Sequence, residues 1–202
     1  MRVTKTIELI FDFVSPNAYL VWKPLRAIAA RQGAQLKITP AFLGGMHKLT
    51  GNAPPFIRDA EVKGKNAYAR LEMQRFIAKH GFTRFKINPN FPFNSVNLLR
   101  MLLSLEGDDQ IRFIEAVNPA LWEEQLDVTD GAALSALLAK AGFNPEALAA
   151  ATQDAGIKQR LIDNTEKAVE RGTFGIPTMY IGSEMFFGKE RLGQIEEMLA
   201  ST

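Results

Sequence analysis

The chain has 202 residues, of which 47% are apolar, 23% are charged and none is cysteine. That length suits one large domain, or one domain with a sizeable insertion, and is enough to bury about 70% of the unfolded surface. The lack of Cys rules out a disulfide framework, an iron–sulfur cluster, a zinc finger and a Cys nucleophile; His47 and His80 alone are too few for a His-rich metal centre; and 24 basic against 22 acidic residues is too even a balance to argue for nucleic acid.

The N-terminus has no basic region followed by an apolar one, so no secretory signal is read there. The densest apolar stretch, Leu98–Leu105, is broken by Arg100 and Ser104 and falls short of the ~20 residues of a membrane span. A cytoplasmic protein with no membrane partner is expected. Thr6–Val14 places Ile7, Leu9, Phe11 and Phe13 on one face and Glu8, Ile10 and Asp12 on the other, a mostly buried strand. Ser15-Pro16 ends it and opens a helix, with Ser as N-cap and Pro at the first helical position. The helix runs to about Gln32, where Gly33 terminates it. Gln35–Phe42 alternates again. Strand–helix–strand over so short a span is a βαβ unit with parallel strands and a right-handed crossover.

Gly44–Pro55 reads as a Gly/Pro/Asn-rich loop. Helical signals then dominate to about residue 171. Asn66–His80 is closed by Gly81, and His80 reads as a helix C-terminal residue. Ser95–Leu105 is apolar enough to be buried on most sides. Asp108–Gln125 contains Pro119, which predicts a kink or a division. Thr129–Ala141 follows, then a helix opened by Asn144-Pro145-Glu146, then Gly156–Arg171. Strand character returns at Pro177–Ile181 and Glu184–Phe187, joined by Gly182-Ser183 as a type II′ hairpin. A last helix covers about Glu190–Leu199.

The order is βαβ, a block of helices, then ββα. That is a thioredoxin-like α/β fold with a large all-helical insertion: residues 1–43 and 172–202 form the thioredoxin-like domain and residues 44–171 the insertion. In such a fold the chemistry sits at the N-terminus of the first helix, where free N–H groups and a partial positive charge favour an anion. That position is Ser15. Taken alone, Ser-Pro is also simply a good helix cap. Phe174-Gly175-Ile176-Pro177-Thr178 precedes the returning strand where this fold usually holds a cis-proline, exposing the backbone of Ile176 to an extended ligand.

The chain resembles the 2-hydroxychromene-2-carboxylate isomerases, relatives of kappa-class glutathione transferases and of DsbA-type oxidoreductases. The matching residues are Phe11-Asp12-Phe13-Val14-Ser15-Pro16-Asn17-Ala18-Tyr19-Leu20, the Gly51-Asn52-Ala53-Pro54-Pro55 loop, Asn94-Ser95, Trp122, Gly175-Ile176-Pro177-Thr178 and Glu184-Met185-Phe186-Phe187-Gly188. They span nearly the whole chain. The resemblance implies a glutathione-dependent enzyme in which Ser15 replaces the redox Cys and hydrogen-bonds the glutathione thiolate. Lowering a thiol pKa from about 8.5 by about two units requires roughly 2.7 kcal/mol. A helix N-terminus supplies about 0.5–2 kcal/mol and a hydrogen bond to a charged group about 1.5–3.

The resemblance also implies that glutathione lies along Ile176-Pro177, with its glutamyl end near Phe187-Gly188. There the family usually has a small polar residue followed by Asp, whereas this chain has Lys189-Glu190. Glu190 is expected to pair with the glutathione amine, and Lys189 or backbone N–H groups with its carboxylate; Glu190 also suits the first turn of a helix without any ligand. A small aromatic carboxylate is the implied substrate, met by Asn52 and Arg58 first, and by His47, Lys48 and Asn94, with Phe93 and Trp122 as apolar wall. A homodimer is implied as well. Three functions stay open at this point. One is isomerisation by reversible thiolate addition, bond rotation and elimination. Another is a kappa-like transferase or peroxidase reaction on other electrophiles. The third is a non-catalytic glutathione- or peptide-binding protein of the thioredoxin superfamily.

Overall fold

A computed structural model of the protein describes residues 5–201. Strand β1 (Thr6–Phe11) is followed by helix α1 (Pro16–Gln32) and β2 (Gln35–Pro40). Eight helices come next: α2 (Leu43–Thr50), α3 (Pro55–Arg58), α4 (Lys65–His80), α5 (Val96–Leu103), α6 (Asp108–Trp122), α7 (Gly131–Lys140), α8 (Pro145–Ala151) and α9 (Ala155–Glu170). Strands β3 (Thr178–Ile181) and β4 (Glu184–Phe187), a 3-10 turn at Lys189–Arg191 and α10 (Leu192–Ala200) close the chain. The sheet order is β2-β1-β3-β4. β1 and β2 are parallel, with Ile7 opposite Leu36, while β3 is antiparallel to both β1 and β4. This is the expected thioredoxin fold with helices inserted between β2 and β3. Among the described residues no helix is long and apolar enough to cross a membrane.

The core forms where sheet and helices face each other. Ile7, Leu9 and Phe11 of β1 and Leu20 and Leu25 of α1 are fully buried. Burying each such side chain contributes about 1.5–3 kcal/mol. Gly33 ends α1 in the left-handed conformation (φ 62°), its N–H returning to the Ala29 and Ala30 carbonyls, as its position predicts.

Four expectations about the elements are corrected. β1 stops at Phe11, because the Asp12 carboxylate draws the chain into a turn that carries Ser15. Gly44–Pro55 is largely not a loop: Leu43–Thr50 is helical, with Met46 fully buried. The glycines that suggested a loop serve packing instead, since a Cβ on Gly44 would stand 2.8 Å from the Phe42 ring. Pro119 does not divide α6. It lies in the last turn, so the missing N–H forfeits one bond, and its own carbonyl accepts the Glu123 and Glu124 N–H groups at 2.8 and 3.1 Å. Trp122 is fully buried core with its indole N–H on the Phe13 carbonyl at 3.1 Å, so it offers no open pocket wall.

Glu8 pins the sheet to α9. It accepts from Lys37 at 2.8 Å and Thr39 at 2.6 Å, and from Arg171 at 2.7 Å, whose guanidinium stacks 3.8 Å from the Tyr180 ring centre. Burial pushes the Glu8 carboxyl up, but these hydrogen bonds and the Lys37 charge outweigh it and bring the pKa to about 2. A depressed carboxylate stabilises the fold above its unfolded pKa, and the gain is lost as pH falls from about 4.5 to 2. Discounted for solvent screening, Glu8→Gln should cost about 1 kcal/mol at pH 7. Guanidinium melts should show that difference closing by pH 2; a gap of unchanged size there would refute the account.

Candidate active site

Ser15 caps α1: its Oγ accepts the Ala18 N–H at 3.2 Å, and Pro16 follows in the first turn. The same hydroxyl donates to the Ile176 carbonyl at 2.9 Å. The Ile176–Pro177 peptide is cis, so the first-helix N-terminus and the cis-proline segment are joined by one hydrogen bond. Ser15 is 3% exposed, and the first turn of α1 carries no acidic residue. An anion at this point therefore meets the positive end of the α1 dipole and a hydroxyl, with no first-turn carboxylate to oppose it.

Beneath Ser15 lies Asp12, fully buried. Its carboxylate accepts the Val14 N–H at 3.2 Å and the Leu43 N–H at 2.8 Å, and its main-chain carbonyl accepts the Ser15 N–H at 3.2 Å. Phe42, the residue before α2, makes no side-chain cap of its own. Asp12 thus caps α2 from another element while shaping the turn that presents Ser15. Burial raises its pKa to about 6, against the opposing pull of Ser95 and of the backbone N–H groups.

A second polar group reaches the same segment from the insertion. The Asn52 side-chain amide donates to the Phe174 carbonyl at 2.8 Å, two residues before the carbonyl that Ser15 uses. Arg58 points Nη1 at Asn52 Oδ1 at 3.5 Å. His47 stands near Arg58, and burial followed by that charge lowers its pKa. Asn52, Arg58 and His47 are therefore neighbours, linked to the cis-proline segment. Lys48 is exposed on α2, and Asn94 is exposed, its Oδ1 accepting the Val96 N–H at the start of α5. Neither is drawn into this group by a hydrogen bond.

At the far end of the segment the Gly188 N–H donates to the Pro177 carbonyl at 3.0 Å. Gly188 has φ 93° and ψ 159°, a backbone conformation that glycine alone adopts without strain. The Phe187 ring covers Gly175, where a Cβ would lie 2.8 Å from it, and packs on Phe174 with centroids 4.6 Å apart. Lys189 is 5% exposed, its ammonium paired with Glu190 and 5.5 Å from the Phe76 ring centre. Both residues line a groove of about 540 Å3 between α1, α4 and α10. Lys189 is thus already engaged by protein groups.

Sequence reasoning missed Asp12 and Asp59 as participants. Asp12 reads as part of a strand face, and only its three-residue distance from a Ser-Pro cap signals its turn. Asp59 follows Arg58 directly, a spacing that carries no helical or strand signal.

A mixed four-stranded sheet with a helix N-terminus set against a cis-proline defines a thioredoxin-type protein. The chain belongs to the DSBA-like thioredoxin domain family, whose model matches residues 6–200. It is 27% identical to a 2-hydroxychromene-2-carboxylate isomerase of Pseudomonas putida over 96% of this chain and 93% of that one. It is 26% identical to glutathione S-transferase kappa 1 of Rattus norvegicus, over 96% and 91% of the two chains. A solved 2-hydroxychromene-2-carboxylate isomerase superposes with a TM-score of 0.84 at 25% identity, over 97% and 95% of the two chains.

Proposed function

We propose that the protein is a glutathione-dependent isomerase of an aromatic carboxylate of the 2-hydroxychromene-2-carboxylate type. The observation that carries this reading is the Ser15 hydroxyl, held at the α1 N-terminus and bonded to the Ile176 carbonyl at 2.9 Å. No thiol of the chain competes for that position, since the sequence has no Cys. Glutathione, when bound, would supply the sulfur that adds to the conjugated carbon and later leaves it. Ser15 has one proton to give, so donating to a thiolate means releasing Ile176. The freed Ile176 carbonyl then accepts an N–H from a peptide-like ligand, which favours a thiol carried on an extended peptide over a simple thiol. Gly188 allows the ligand backbone close approach. Glu190 is assigned to the glutathione amine. Lys189 serves its carboxylate only by giving up its pairing with Glu190. Asn52 and Arg58 are assigned to the second substrate, beside His47, which burial and Arg58 favour as neutral.

The relatives named as kappa glutathione transferases make the transferase reaction the second reading. The two separate on the fate of glutathione. Incubation with 2-hydroxychromene-2-carboxylate should convert it to the trans-o-hydroxybenzylidenepyruvate with the free thiol conserved. Thiol loss matching the turnover of a chlorodinitrobenzene-type electrophile, without isomerisation, would replace the first reading by the second. No retention on glutathione resin would end both.

A further inference from the structure

Arg58 is exposed, and an exposed arginine ordinarily loses much rotamer freedom when it binds a ligand. Here the neighbouring residue removes that freedom in advance. Asp59 is 8% exposed and accepts from Arg58 Nε at 2.8 Å and Nη2 at 2.9 Å, a bidentate pair that fixes the guanidinium plane. The donors of Nη1 are left over, aimed at Asn52 Oδ1 at 3.5 Å, the outer limit of a hydrogen bond and readily exchanged for a better acceptor. Lys65 joins the same Asp59 oxygen at 2.9 Å, so one carboxylate gathers two cations and the group keeps a net positive charge. The Arg58 contacts, then those of Lys65, hold the Asp59 carboxyl well below the usual carboxylate range, so it stays charged across the working pH.

We propose that Asp59 is a positioning residue that presents Arg58 Nη1 as the carboxylate-recognising group of this site, making the chain selective for aromatic ligands that carry a carboxylate. This deepens the proposed function and rests on it for the chemistry, but its test requires no turnover. The probes are 2-hydroxycinnamate and its methyl ester, titrated calorimetrically. The wild-type protein should bind the acid about 10–100-fold tighter than the ester, the range for one charge-assisted hydrogen bond. Asp59→Asn and Arg58→Gln should each reduce that ratio to about threefold or less, and the double variant should fall no further than Arg58→Gln alone. Asp59→Glu, which keeps the charge, should recover part of the ratio, and near-ultraviolet circular dichroism confirms folding. A wild-type ratio near one, an unchanged ratio in folded Asp59→Asn, or additive losses in the double variant would overturn the assignment. Glutathione binding measured on the same wild-type protein reports on the thiol reading separately: its absence would end that reading and leave the Asp59 result standing.

Discussion

Ser15→Ala should lower turnover by about 10²–10³ while glutathione still binds, the loss expected for one donor aimed at a developing or stable anion. The ultraviolet absorbance of the bound thiolate should fall in parallel, because the thiol would then be held by the helix N-terminus alone. Loss of the cap itself should cost about 1 kcal/mol of stability, too little to unfold a domain with so extensive a core. The measurement is therefore a thiolate titration alongside steady-state kinetics at saturating glutathione. Unchanged turnover with an unchanged thiolate signal would remove Ser15 from the mechanism. A lower affinity with normal turnover would reassign it to plain binding.

Asp12→Ala should be the most destabilising polar substitution near the site. It strips the acceptor from the Val14 and Leu43 N–H groups, and an orphaned buried donor costs about 1–3 kcal/mol. Relief from burying a charge offsets part of this, so a net loss of about 2–4 kcal/mol is expected at pH 7. The pH dependence has the opposite sign to that of Glu8. Asp12 has a folded pKa of about 6 against an ordinary value of 3.8, so the folded state binds its proton more tightly. Its cost to stability is fully present above pH 6 and is relieved as pH falls from 6 to 3.8. That relief amounts to about 3 kcal/mol at most. Asp12→Asn cannot titrate, so its guanidinium midpoint relative to wild type should fall as pH is lowered through that window. A constant difference between the two proteins from pH 4 to 7 would show that Asp12 does not carry the raised pKa.

The βαβ and ββα ends were legible because strand alternation marks each strand, even where its end shifts by two or three residues, and a Ser-Pro start and a Gly stop bound α1. The parallel pairing of β1 with β2 followed from the crossover alone. Ser15 and Ile176-Pro177 were legible for the same reason, being fixed by where helix and strand begin. The 43–58 region was not. Its glycines and prolines read as a loop, and what supports Leu43–Thr50 as a helix comes from tertiary structure: a cap by a carboxylate 31 residues earlier and the burial of Met46. Asp59 escaped for a similar reason: adjacent residues of opposite charge usually signal solvated surface, and its burial comes from how the 51–64 segment folds back. Lys189 shows the limit in the other direction. Family position assigns it to a ligand carboxylate, while in the folded chain its ammonium is taken by Glu190 and the Phe76 ring.

The cap that Asp12 places on α2 also makes that helix dependent on the rest of the chain. Eight residues with two adjacent glycines lie well below the length at which a helix persists alone. A peptide of residues 42–58 should therefore be unstructured. In the intact chain the first turn of α2 has its acceptor in the Asp12 carboxylate, which the turn after β1 holds in place. The segment bearing Asn52 and Arg58 thus takes its start from the turn that presents Ser15, so loosening the Asp12 turn should disturb both halves of the site together.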